Sequence, residues 1–197
     1  MSVGPQAAPP LSTPWVPLWP LAPVMPVQYG TTLPGSPVDG QEAILVDSLT
    51  APTYQWRFRY NAGASGANKW EFVGGSDARV NVDTDQTTTQ NNQWVNLATV
   101  GPDFVVPRAG DYEVFMQAQA YGVATPMYVG IAVGDTSPSA ATSGIMSASV
   151  QANIPAARGV LTGLAAGATL RMRYFMVAAG TGHWSARVFY VRPLRVA

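Results

Sequence analysis

The distribution of proline divides this chain into a segment that has no means of burying its own apolar groups and a segment that does. Ten of the seventeen prolines precede Val38, and no Asp, Glu, Lys or Arg occurs before Asp39. Between Pro14 and Pro26 a proline stands at every third position, which is the repeat of a polyproline II helix. We therefore predict an extended, proline-rich N-terminal arm over residues 1–38.

Large apolar side chains fill the positions between these prolines. A stiff, pre-extended segment loses little conformational entropy when it binds, so the arm suits docking onto neighbouring proteins of an assembly. The alternative is a disordered leader whose tryptophans are incidental. We assign the docking contacts to Trp15, Leu18, Trp19, Leu21 and Met25.

Three short apolar runs follow the arm, at 42–47, 54–60 and 69–73. Alternation along the second run places its aromatic residues on one face and Arg57 and Arg59 on the other. We predict a small three-stranded β module over residues 39–75. Its predicted core consists of Tyr54, Trp56, Phe58, Trp70 and Phe72.

Residues 76–92 are polar and include Asp83 and Asp85, whose spacing resembles that of calcium ligands. The glycine and the distal glutamate that calcium loops use are missing from this stretch. We predict a linker here and no metal site.

From Gln93 onward, short apolar runs alternate with turns rich in Gly, Pro, Ser and Asn. This spacing is typical of an all-β sandwich, which we predict over residues 93–197. The predicted strands lie at 94–98, 103–106, 111–121, 127–133, 145–152, 159–164, 169–178 and 184–193.

The clearest alternation runs through residues 111–121. One face carries Tyr112, Val114, Met116, Ala118 and Ala120, which we predict to be core. The opposite face mixes an aromatic residue with amides, a composition that suits a contact between subunits better than bulk water. We assign that interface to Phe115, Gln117, Gln119 and Tyr174.

Charged residues make up only 11% of the chain, against a usual share of about 25%. A surface so poor in charge indicates coverage by partner subunits, the alternative being an apolar but monomeric β protein. The eleven basic and eleven acidic residues balance, which disfavours nucleic acid as a partner. Prolines interrupt the only long apolar region, so we expect no membrane insertion.

Little in the sequence points to catalysis. There is no cysteine, the single histidine is His183, and no acidic residue follows Asp135. A catalytic base needs a positioned nucleophile or acid, and neither is evident. We therefore predict no enzyme and no cofactor, and interpret His183 as a turn or interface residue. Several late arginines could bind an acidic glycan or lie at an interface: Arg171, Arg173, Arg187, Arg192 and Arg195.

The order LP, PVDGQE, WRFRY and KWEFVGG between Leu33 and Gly75 resembles a module that recurs in virion proteins of tailed bacteriophages, above all minor tail and fibre proteins. The resemblance implies a place on the virion surface after assembly in the host cytoplasm. It also implies other phage tail or capsid proteins as partners, bound through the arm.

The segment FVVPRAGDYEV at 104–114, followed by LAAGATL at 164–170, is similar to the C1q/TNF-like jelly roll, whose members form compact trimers. Gly110, Asp111 and Tyr112 match the start of one strand of that fold, whereas Ala168 stands where a second strand start has Asp. The resemblance implies a C-terminal jelly-roll knob and a homotrimer.

The two resemblances together imply a bacteriophage virion structural protein, a minor tail or fibre component anchored by its arm that displays a trimeric knob for host attachment. Host surface glycan is then an expected partner. The same parts would serve a capsid decoration or head fibre protein that stabilises the capsid. A glycan-degrading tail enzyme ranks third, because it would need two carboxylates beside a cleft and acids are sparse.

Overall fold

The structure, a computed structural model, describes residues 26–123, 125–139, 143–148 and 152–197, with backbone alone at 144–148 and 152–157. All of its regular secondary structure is strand, which confirms the predicted all-β class. The strands are β1 (Gln28–Gly30), β2 (Glu42–Val46), β3 (Gln55–Tyr60), β4 (Trp70–Gly75), β5 (Ala78–Val82), β6 (Gln86–Thr88), β7 (Asp103–Val105), β8 (Gly110–Tyr121), β9 (Thr125–Val133), β10 (Ser143–Ala148), β11 (Ala152–Leu164), β12 (Thr169–Met176) and β13 (Gly182–Val196).

The strands form two sheets that enclose one core. The long sheet has nine strands in the order β1-β2-β3-β4-β13-β8-β11, and β5 and β6 also pair with β13. The short sheet has four strands in the order β10-β9-β12-β7. Buried side chains from both sheets make a single apolar cluster, as expected of a β-sandwich.

Strand β13 organises the long sheet. One of its edges pairs with β8 over most of its length, and the other pairs in turn with β6, β5 and β4. The prediction of a linker at 76–92 is therefore wrong about secondary structure, because this segment contributes strands β5 and β6 to the long sheet. Both are short, and both pair with the same edge of β13. Strand β6 is polar, whereas β5 alternates and places Ala78 in the core.

The predicted core face of β8 is confirmed. Its residues Tyr112, Val114, Met116, Ala118 and Ala120 are each no more than 1% exposed. Gly110 is the first residue of this strand, and a Cβ at this position would lie 2.2 Å from the carbonyl oxygen of Arg195. Only glycine permits that approach of the two backbones.

The module residues 39–75 extend the long sheet through β2, β3 and β4. Tyr54, Trp56, Phe58 and Trp70 are buried as predicted, and Phe72 packs against them partly buried. The rings of Tyr54 and Trp56 stack with centroids 3.9 Å apart. These residues belong to the same cluster as the sandwich core, so the module and the sandwich share one core.

Two further strand predictions need correction. The last residues of the predicted arm form β1, which pairs in parallel with β2 and so belongs to the sheet. The predicted strand at 94–98 makes only an isolated bridge between Val95 and Tyr174.

A bulge in β13 sends a charged side chain into the core. Ala186 has a φ of 45°, and the register with β8 shifts between Ser185 and Val188. Arg187 consequently points inward, is fully buried, and donates to the carbonyl oxygens of Thr84, Thr99 and Gly101 and to the Tyr174 hydroxyl at 3.2 to 3.3 Å. Since Tyr174 belongs to the short sheet, Arg187 links the two layers.

Candidate functional site

A depression of about 400 Å³ lies on the outer face of the long sheet. We call it the Phe115 depression. Strands β8, β11 and β13 and the residue before β5 supply its lining, which consists of Asp77, Glu113, Phe115, Gln117, Arg158, Tyr190 and Arg192.

The alternation of β8 creates this surface. Because the even-numbered side chains from Tyr112 to Ala120 fill the core, Glu113, Phe115 and Gln117 must face outward. The register with β13 then sets Tyr190 beside Phe115 and Arg192 beside Glu113. The rings of Phe115 and Tyr190 meet edge to face with centroids 6.1 Å apart. Phe115 keeps 38% of its surface exposed.

Glu113 holds the charged side of the depression together. It accepts a hydrogen bond from Arg158 Nε on one carboxylate oxygen and one from Arg192 Nε, at 2.6 Å, on the other. The hydrogen bond from Arg158 is the largest influence on the carboxyl group, and with Arg192 it holds the pKa of Glu113 below its ordinary value. The Glu113 side chain is only 12% exposed, whereas its partners Arg158 and Arg192 are 59% and 38% exposed.

Charged residues also alternate in sign across the strands next to the depression. The register aligns the side chains of Glu42, Arg59, Glu71, Arg195 and Asp111 on β2, β3, β4, β13 and β8 respectively. The Arg195 guanidinium lies 3.2 Å from the Glu71 carboxylate. Cross-strand pairs of opposite charge are favourable. The outer face of the long sheet is thus charged but electrically balanced within one chain.

The predicted interface residues separate into two groups. Phe115 and Gln117 are exposed on this face, and Gln119 is partly buried there and accepts a hydrogen bond from Ser185 Oγ at 3.2 Å. Assigning Tyr174 to the interface was wrong, because it is fully buried and donates to the Gly101 carbonyl oxygen at 2.8 Å. Its β12 neighbours Leu170 and Met172 share its inward face.

The docking residues predicted in the arm, Trp15, Leu18, Trp19, Leu21 and Met25, lie outside the described residues. Their assignment stays a prediction.

His183 lies within β13, although the sequence favoured a turn. Its ring stacks on Tyr121 at 4.4 Å, and its Nδ1 lies 3.1 Å from an Asp85 carboxylate oxygen that also accepts from the Tyr121 hydroxyl at 2.7 Å. Partial burial alone would raise the pKa of Asp85, but the hydrogen bonds from Tyr121 and His183 outweigh it and lower that pKa. Within the described ranges, no three His, Asp or Glu side chains converge as metal ligands would.

The remaining late arginines are engaged within the chain. Arg171 donates to Asp103 and Asp135 at 2.7 to 3.1 Å. Arg173 is nearly buried and donates to the Trp94 carbonyl oxygen at 2.8 Å. These contacts give both arginines a structural role in the short sheet.

Sequence reasoning found Phe115 and Gln117 but missed the other lining residues as a group. Glu113 was visible as a neighbour of Phe115 in the same alternating run. Arg158, Tyr190 and Arg192 join it only through pairing between strands far apart in the chain, for which the sequence carries no local signal.

Among the described residues, no helix is long and apolar enough to cross a membrane. No family model matches this chain, and no curated protein matches it. One matching solved structure is described as "CBM4 structure and function". The match covers 76% of this chain and 78% of that one, with 11% identity and a TM-score of 0.31. At this TM-score the likeness supports no conclusion about function.

Proposed function

We propose that this protein is a non-enzymatic structural protein of a bacteriophage virion, of the minor tail or fibre type. Its arm anchors it to other virion proteins, and three copies associate through the outer face of the long sheet and display their sandwiches for host attachment. The virion assignment rests on the resemblances at 33–75 and 104–170. The observation that carries the association is the exposed Phe115 beside charges that are already paired.

The Phe115 depression has the composition of a protein interface. Aromatic residues are enriched in the centre of such interfaces, and charges that become buried must be paired. Phe115 and Tyr190 supply the aromatic centre, while the carboxylates of Glu113 and Asp77 together balance the charges of the two arginines in the depression, Arg158 and Arg192. A second copy can therefore cover this face without leaving an unpaired charge.

The low charge of the whole chain favours the same conclusion. With 11% charged residues, a free monomer would expose a surface poorer in charge than solubility favours. Association in threes would also multiply weak attachments to a host surface, since linked sites gain affinity by orders of magnitude when the geometry lets them bind together.

Measuring the mass of the full chain in solution tests the association. Light scattering at micromolar concentration should give about three times the chain mass of 20.8 kDa. Phe115→Lys should reduce the mass toward that of one chain, because it places an unpaired charge in the interface. Val133→Lys is the matched control, since Val133 is also 38% exposed but lies on the short sheet. A wild-type mass near 21 kDa would refute the trimer.

Deleting residues 2–25 tests the anchor. The deletion stops before β1, so the sheet is retained. The truncated protein should keep its mass in solution but fail to enter particles. Incorporation equal to that of the intact chain would remove the docking role of Trp15 and Trp19.

The second candidate is a capsid decoration or head fibre protein, which would use the same arm and interface. Imaging of particles labelled at the C-terminus distinguishes the two locations. Label on the tail supports the minor tail or fibre role, label on the icosahedral shell supports the decoration role, and unlabelled particles would overturn both. Release of oligosaccharide from host glycan by the purified protein would overturn the non-enzymatic assignment.

A further inference from the structure

Three aromatic rings lie together on the outer face of the short sheet, opposite the Phe115 depression. We call them the aromatic triad: Trp94, Tyr128 and Phe175. Phe175 and Tyr128 are register partners on β12 and β9, with ring centroids 5.5 Å apart, and Trp94 lies 5.4 Å from Phe175. Their neighbours Val95, Met127 and Tyr174 point into the core, so the triad faces outward and each ring is partly exposed.

A buried guanidinium fixes the wall beside the triad. Arg173, only 6% exposed, donates to the Trp94 carbonyl oxygen at 2.8 Å and to the carbonyl oxygen of Thr136 at 3.4 Å. The loop after β9 folds over Gly130, where an added Cβ would lie 2.5 Å from Pro138. Because these contacts bind the loop to the segment that carries Trp94, the wall and the triad are held in place before any ligand arrives.

Asp135, on this wall, keeps one carboxylate oxygen available. Its Oδ1 accepts from Arg171 Nη1 at 2.7 Å and from Asn96 Nδ2 at 2.8 Å, and lies 3.5 Å from Arg173 Nη1. Its Oδ2 accepts no hydrogen bond from the part of the chain that the structure describes, and the side chain is 65% exposed. An oriented, ionised acceptor therefore lies beside an aromatic surface.

From this arrangement we infer that the aromatic triad and Asp135 form a binding site for a neutral saccharide. The face of an aromatic ring carries partial negative charge and attracts the C–H groups on the apolar side of a pyranose ring. Asp135 Oδ2 accepts hydrogen bonds from adjacent sugar hydroxyls, and charge-assisted bonds of this kind are strong. Two arginines and two aspartates, Arg171, Arg173, Asp103 and Asp135, balance one another beside the triad, so the site carries no net charge that would select a charged ligand.

The proposed association through the long sheet also supports this assignment, and this step rests on the proposed function. If copies meet through the outer face of the long sheet, the outer face of the short sheet is directed away from the partner copies. The triad then lies where a displayed protein would meet a host surface. The uncharged arm is the competing occupant, because proline-rich segments also dock on aromatic grooves.

Titration of the full chain with a panel of neutral and acidic oligosaccharides, followed by calorimetry, tests the site. At least one neutral oligosaccharide should bind with a millimolar or tighter Kd. Phe175→Ala and Asp135→Asn should each weaken that binding about tenfold or more. Leu49→Ala, an exposed apolar residue between β2 and β3, is the matched control and should leave the affinity unchanged. Cooperative unfolding of both site variants well above the temperature of the titration would show that the loss of binding is local.

Three results would overturn the inference. They are no binding of any neutral oligosaccharide, full binding by Phe175→Ala, and occupation of the triad by a synthetic peptide of residues 12–26 in place of a sugar. The last result would assign the face to the arm. The mass measurement separates this test from the proposed association: a trimer that binds no sugar refutes the site alone, and a monomer that binds sugar refutes the association alone.

Discussion

The outer faces of the two sheets arise from the same alternation of side chains, yet they differ in what they leave unsatisfied. On the long sheet, Glu113 uses both carboxylate oxygens on arginines of its own chain and is 12% exposed. On the short sheet, Asp135 uses one carboxylate oxygen, Oδ1, on Arg171 and Asn96, and its side chain is 65% exposed. In the proposed arrangement, the face whose charges are paired is covered by another copy of the chain, and the face with a free acceptor beside aromatic rings binds a saccharide.

The two faces also differ in how their arginines are used. Arg158 and Arg192 lie on the surface and neutralise Glu113, whereas Arg173 is buried beneath the short-sheet face and fixes its loop. Between the faces lies Arg187, which reaches from β13 to the Tyr174 hydroxyl of the other sheet. Three substitutions and one change of pH test this difference between the two faces, and the first substitution concerns Arg187, which contacts both sheets.

Arg187→Met should have the largest effect, because it removes the hydrogen bonds that the buried guanidinium donates to the Gly101 carbonyl oxygen and the Tyr174 hydroxyl in the core. Hydrogen bonds that involve a charged group contribute about 1.5–3 kcal/mol, so we expect a loss of about 2–4 kcal/mol in the free energy of unfolding. Urea unfolding measures it. Arg79→Met, on the exposed face of β5, is the control and should change stability by less than about 0.5 kcal/mol. Equal losses in both variants would contradict the linking role of Arg187.

Glu113→Gln should come next. Removing the charge weakens the two hydrogen bonds that this largely buried carboxylate accepts from arginines at the surface, and hydrogen bonds to charged groups contribute about 1.5–3 kcal/mol. We expect a loss of about 1–3 kcal/mol by urea unfolding, and a smaller loss for Asp135→Asn, which is far more exposed. Greater destabilisation by Asp135→Asn than by Glu113→Gln would contradict the proposed difference between the two faces.

Acid should reduce the stability provided by the long-sheet face. Folding lowers the pKa of Glu113, chiefly through the hydrogen bond from Arg158, so its stabilisation is complete above the ordinary value of 4.5 and is lost as the pH falls through the folded value. Thermal unfolding between about pH 3 and pH 7 should show wild type and Glu113→Gln converging as the pH drops. A constant difference between the two proteins would contradict this origin.

The smallest effect is expected for Glu42→Gln, at the distant edge of the long sheet. Glu42 accepts from Arg57 Nε at 2.9 Å, but the two side chains are 30% and 54% exposed. Exposed ion pairs contribute about 0–1 kcal/mol, so urea unfolding should detect little change. A loss as large as that of Glu113→Gln would show that the burial of the carboxylate does not determine how much these ion pairs contribute to stability.

Several features of the fold could be predicted because they depend on local alternation. The inward face of β8 and the aromatic core of the module follow directly from period-two patterns. Strand β6 could not be predicted in this way, since it is short and polar and becomes a strand by pairing with β13, about a hundred residues later. Strand β5 does alternate, with Ala78, Val80 and Val82 on one face, and this short signal was missed within a polar stretch.

The residues of the candidate site also fall into two groups: those that the alternation of one strand predicts, and those that only the pairing of distant strands brings together. Phe115 and Gln117 were predicted from the alternation of one strand. Arg192 reaches Glu113 across 79 positions of sequence and Arg158 across 45, so only the register of three strands brings them together. Tyr174 was misassigned because an aromatic residue among arginines gives no indication of which side of its strand faces the core.

By itself, the sequence determined that the chain is all-β, that an uncharged proline-rich segment precedes the sheets, and which side chains of each strand share a face. These properties depend on the geometry of neighbouring residues. Tertiary structure alone decided which strands pair, and it decided that a bulge at Ala186 sends Arg187 inward and leaves Tyr190 and Arg192 beside Phe115. A one-residue shift in register exchanges the two faces of a strand, and only long-range pairing sets that shift.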